Sequence, residues 1–121
     1  MNSAKVKAAL DEAMAIEGAL GACLVDYQSG MTLGTAGGQG LDLEMAAAGT
    51  TEVVRSKLRV MGALGIEERI EDMLFTLNSQ FHLVRMIKDT DSLFLYLALS
   101  RGPANLGMAK FQLSSAEQKL S

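Results

Sequence analysis

The sequence has no tryptophan and only one cysteine, one histidine and one proline. Two of these shortages each remove a class of chemistry. With Cys23 alone, no internal disulfide and no cysteine metal cluster can form. With His82 alone, most zinc sites fall away, as does every Ser-His or Cys-His pair that does not use that one ring. A basic surplus is also missing. The formal net charge is -3, whereas a nucleic-acid footprint needs a basic face. No apolar run is long enough to span a bilayer. The opening Met1-Asn2-Ser3-Ala4-Lys5 leads into mixed Lys, Asp and Glu without the apolar core of a signal peptide. These absences predict a soluble, cytoplasmic protein that meets a membrane only through a partner.

What is present is a chain of 121 residues, 49% apolar, with charges of both signs spread along it. That suffices for one buried core without covalent staples, and no repeat, linker or low-complexity stretch divides residues 1–121. Val6, Leu10 and Ala13 recur at helical spacing and predict a first helix over about residues 3–15. Ala19 to Val25 is almost wholly apolar, as in a strand covered on both faces, and turn residues to Gly30 lead into a returning strand over Met31 to Ala36. Gly37-Gly38-Gln39-Gly40 reads as a flexible break. A long helix follows from about Leu41 to Leu64, closed by Gly65. Strands are expected over Ile70 to Leu77 and Gln80 to Ile87, joined by Asn78-Ser79, and over Leu93 to Leu99 in mid-sheet. Gly102-Pro103 is expected to open a last helix, with Leu106, Ala109, Leu113, Ala116 and Leu120 buried. The class is α+β, a mainly antiparallel sheet with helices on both faces.

The long helix carries two apolar stripes at about 100° per residue. Leu43, Ala47, Val54, Leu58 and Met61 form one; Ala46, Gly49, Val53, Val60 and Leu64 form the other. One stripe suffices to pack on a sheet, so the second predicts contact with another helix, with small residues at Ala46 and Gly49 permitting close approach. Glu44, Thr51, Glu52, Arg55 and Arg59 occupy the remaining side.

No segment amounts to an active site. The glycine-rich stretch before the long helix lacks the Gly-Lys-Ser/Thr ending of a phosphate loop. Glu67, Glu68, Glu71 and Asp72 lack the alternating oxygens of a cation loop and read as a solvated edge that resists aggregation. Cys23 sits in an apolar strand as a small hydrophobe, and His82 shares one strand face with Gln80 and Val84. No cofactor and no metal is expected.

Taken in succession, several segments resemble the roadblock/dynein light chain family, its bacterial members in particular. These are Ile16 to Asp26 through Ser29-Gly30-Met31, Leu43 to Gly49 with Val53-Val54-Arg55, Ile70 to Leu74, Gln80 to Arg85, Leu93 to Leu99, and Ala104 to Ala109. The resemblance implies a five-stranded antiparallel sheet with the long helix on one face and the two terminal helices on the other. It implies a homodimer joined through the long helix and the neighbouring third strand, so that Ala46, Gly49, Val53, Val60, Leu64 and Met73 are interface candidates. It also implies a non-enzymatic adaptor that binds and regulates a Ras-like small GTPase, GTPase activation being one mode. The contact surface for that partner is assigned from helical geometry to Glu44, Thr51, Glu52, Arg55 and Arg59. Two other readings compete: a scaffold dimer indifferent to nucleotide, and a ligand sensor, which would need a roomy pocket near Cys23 or Tyr96.

Overall fold

The computed structural model describes residues 2–121. Helix α1 (Ser3–Met14) begins at Asn2, whose side-chain oxygen accepts the Lys5 N–H at 2.9 Å, and buries Val6, Ala9, Leu10 and Ala13. Strands β1 (Ala19–Asp26) and β2 (Met31–Gly37) form a hairpin. In its turn the Asp26 carboxylate accepts the Gln28 N–H at 2.9 Å and Gly30 takes φ +80°, a backbone that glycine adopts freely.

Helix α2 (Leu43–Ala63) starts on an Asp42 cap to Met45 N–H at 3.0 Å. It stops where Gly65 turns to φ +71°, with Ile66 N–H bonded to Met61 O at 2.9 Å and Gly65 N–H to Gly62 O at 3.1 Å. That paired arrangement satisfies carbonyls the last turn would otherwise leave unbonded. Strands β3 (Asp72–Thr76), β4 (Gln80–Met86) and β5 (Leu93–Ser100) follow, then helix α3 (Leu106–Gln118).

Two expectations need correction here. Pro103 does not sit in the first turn of α3. Asn105 caps it instead, accepting the Met108 N–H at 3.0 Å. The glycine stretch is a packed turn rather than a flexible break: Gly38 N–H donates to Leu20 O at 2.8 Å, and a Cβ there would fall 2.7 Å from Leu43 Cδ1.

The five strands run in the order β2-β1-β5-β4-β3, every neighbour antiparallel. The two continuously apolar strands, β1 and β5, therefore lie side by side in the interior, and β2 and β3 form the edges. Alternate side chains feed two cores. Ala22, Leu24, Leu95, Leu97 and Leu99 meet α1 and α3 on one face. Cys23, Val25, Val84, Phe94 and Tyr96 meet Leu43, Ala47 and Val54 of α2 on the other. The layering is that of an α+β domain with one long helix opposite two terminal ones. Glu117 ties α3 to the sheet, accepting from Arg85 Nε at 2.5 Å and from Lys88 N–H at 2.8 Å.

Candidate functional site

Helix α2 buries its inner stripe and leaves the second one bare. Leu43, Ala47, Val54 and Met61 are each less than a tenth exposed, with Leu58 half-buried beside them. Val53, Val60 and Leu64 stand 40%, 49% and 67% exposed. Gly49 is exposed too, and a Cβ added there would touch nothing within 4 Å. Since α2 lies over β1 and β2, the same face of β4 and β3 keeps only partial cover.

Between the bare stripe and these strands runs an open groove of about 450 Å³. Its helix wall includes Met45, Ala46, Gly49 and Val53; Phe75, Leu77, His82 and Tyr96 form the strand side. The groove is mostly apolar, with Asp42 and Thr50 at its helix side and a short polar line on its strand side. Tyr96 Oη and His82 Nδ1 are 3.1 Å apart, and His82 Nε2 lies 2.7 Å from Gln80 Oε1. The two rings meet edge to face, with centroids 5.5 Å apart. Burial holds the His82 pKa below its ordinary value and pushes Tyr96 up to about 12. Beyond the groove, β3 is paired to β4 on one side only, so its outer backbone is free.

No protein-family profile and no curated protein sequence matches the chain. Solved structures do. Myxococcus xanthus MglB superposes with a TM-score of 0.84 at 19% identity, over 97% of this chain and 85% of that one. The gliding protein MglB of Thermus thermophilus gives 0.79 at 20%, over 99% and 90%. A roadblock/LC7 domain from Streptomyces avermitilis gives 0.77 at 12%, over 93% and 91%. The chain has the roadblock/LC7 fold.

On this roadblock fold the residues assigned to partner contact scatter. Glu44, Glu52 and Arg59 are exposed, Arg59 donating to Ser56 Oγ at 3.0 Å. Arg55 is half-buried, and its guanidinium donates to the Gln28 carbonyl, tethering the β1–β2 turn to α2. Thr51 has to be withdrawn from any contact surface. It is 2% exposed, with Oγ1 donating to Ala47 O at 2.7 Å. One helical repeat past Ala47, it falls on the buried arc whatever its polarity, and the hydroxyl is satisfied inside the helix. Of the interface candidates, Ala46 and Met73 are half-buried, Ala46 lining the groove and Met73 on edge strand β3.

The sequence reading did not combine His82, Tyr96, Phe75 and Leu77 into one groove. Only the strand order brings them together, by setting β4 between β5 and β3. Cys23 is apart from it: fully buried, cross-strand from Tyr96, its thiol pushed up to about 12. A thiol so held is neutral and screened. Iodoacetamide at about pH 8 is expected to leave Cys23 unmodified in the folded protein and to alkylate it fully in denaturant, as read by intact mass. Among the described residues no cluster of three or more His, Cys, Asp or Glu could hold a metal ion, and no helix is long and apolar enough to cross a membrane.

Proposed function

We propose that the chain is a cytoplasmic member of the roadblock/LC7 family, a non-catalytic homodimeric adaptor that binds a Ras-like small GTPase and regulates it. The observation that carries the dimer is the bare stripe of α2 beside an open apolar groove. Monomeric proteins rarely leave such a surface to water, and a second copy brings a helix with the same stripe. A two-fold axis makes the patch self-complementary. The free outer edge of β3 supports the same arrangement, because pairing it with its counterpart extends the sheet and removes an unpaired backbone row. The groove also supplies the roomy pocket beside Tyr96 that a ligand sensor needs, but it is open and joins the bare stripe at Val53, which suits a second copy better.

The GTPase half of the reading rests on the resemblance and on the fold. Of the five contact candidates on α2, Glu44, Glu52 and Arg59 are the ones exposed toward such a partner. Arg55 is occupied at Gln28, so of the two α2 arginines only Arg59 is exposed toward a partner. The same tether lends weight to the competing reading, a scaffold indifferent to nucleotide state. Calorimetric titration of the protein with the Ras-like GTPase of its own source, loaded with GDP and with a non-hydrolysable GTP analogue, separates them. Regulation requires tighter binding to one form, because a partner shifts a switch only by differential affinity. Equal binding supports the scaffold, and no binding to either form removes the GTPase from the reading.

A further inference from the structure

We propose that His82 makes the α2–β4 groove a pH gate, so that protonating this ring releases the second copy laid into it. The inference deepens the dimer reading above and rests on it.

The only histidine of the chain lines this mostly apolar groove, whose other polar lining residues are Asp42, Thr50 and Tyr96. With Gln80 assigned to present Oε1 as the acceptor in that 2.7 Å contact, Nε2 carries the hydrogen. Nδ1 is then the acceptor of the Tyr96 hydroxyl at 3.1 Å. One neutral tautomer satisfies both neighbours. A second proton on Nδ1 reverses the Tyr96 bond, sends the phenolic hydrogen in search of a new acceptor, and puts a full charge into the groove.

Only one group of opposite charge lines the groove. Tyr96 on β5 and Cys23 behind it titrate at about 12 and stay neutral. Phe75 and Leu77 on the β3 side are apolar. On the α2 side Asp42 is the one carboxylate lining the groove, its Oδ1 accepting the Met45 N–H, and burial rather than that carboxylate sets the direction of the His82 shift.

In the single chain burial already lowers the His82 pKa below its ordinary 6.5. A second helix over the groove strips the remaining water and lowers it further. The dimer then binds fewer protons than two separate chains. Its stability is untouched well above the single-chain His82 pKa and falls as pH drops through that value, which lies below 6.5. Two rings are involved, so in the limit the Kd grows about a hundredfold per pH unit, tenfold for each ring.

Sedimentation equilibrium at about pH 7.5 and about pH 5.8 tests this on the wild type and on His82→Asn, whose amide oxygen stands in for Nδ1; His82→Gln serves if that variant misfolds. The expected result is a Kd for the wild type that rises about threefold or more, with an unchanged circular dichroism spectrum, and a variant that changes by less than about 1.5-fold. A wild-type dimer with no pH response, an equal response in the variant, or unfolding at the lower pH overturns the gate and leaves the dimer standing. A protein monomeric at both pH values overturns the dimer reading and the gate together.

Discussion

Glutamate at Val53, or at Val60, is expected to convert the dimer to a monomer while leaving the fold intact. The two consequences separate because both side chains are 40% to 49% exposed in the single chain. A carboxylate there stays hydrated in the monomer, and exposed substitutions usually move stability by no more than about 0.5 kcal/mol. Against a second copy of α2 the same carboxylate is buried, and symmetry brings its counterpart to the same seam. An unpaired buried charge costs several kcal/mol, and about 4 kcal/mol raises the Kd roughly a thousandfold. Size-exclusion chromatography with light scattering gives the mass, and circular dichroism confirms the fold. Variants that elute at the wild-type mass would show that the stripe is not the seam.

The second large effect lies in the core. Phe94→Ala is expected to cost about 3–5 kcal/mol, a large part of the 5–15 kcal/mol that holds a domain of this size together. Phe94 is fully buried in central strand β5, opposite Val25 on β1 and Met86 on β4. The Tyr27 ring stacks near it, with centroids 6.5 Å apart and planes 16° off parallel. Truncation therefore leaves a hole bounded by two strands whose positions the hydrogen-bond ladders fix, so it cannot close by collapse. Urea unfolding followed by far-ultraviolet circular dichroism reads the loss as a lower midpoint at constant slope. A loss below about 1 kcal/mol would mean that α2 settles onto the sheet and refills the space.

Much of this architecture was readable beforehand, and the exceptions are instructive. The α2 core stripe could be read because Leu43, Ala47, Val54 and Met61 are apolar residues at helical spacing, and burial followed the spacing. β1 and β5 announced their interior position by being apolar throughout, as strands covered on both faces must be. Thr51 was misplaced because chemical type was allowed to outweigh angle; its position relative to Ala47 was available in the sequence. Arg55 was different. Its tether to Gln28 joins residues far apart in the chain, and no local pattern encodes it. The groove follows the same logic, since Phe75, His82 and Tyr96 become neighbours only through strand order. The cap of α3 went to Asn105 because an asparagine oxygen can hold a first-turn N–H, whereas Pro103 offers only a fixed φ.

The place of β5 in the sheet has a consequence for how the protein is made. Leu93–Ser100 lies between β1 and β4, yet it leaves the ribosome after both. Until it arrives, the nascent chain holds two separate hairpins, each with an inward edge unpaired and an apolar face uncovered. Neither has a reason to recognise the other, because β1 and β4 share no ladder. Insertion of this one strand closes both ladders, and most of the long-range pairing is formed in that late step. A chain truncated before Leu93 and released therefore displays two sticky half-sheets, the kind of species that chaperones bind and that aggregates when they do not.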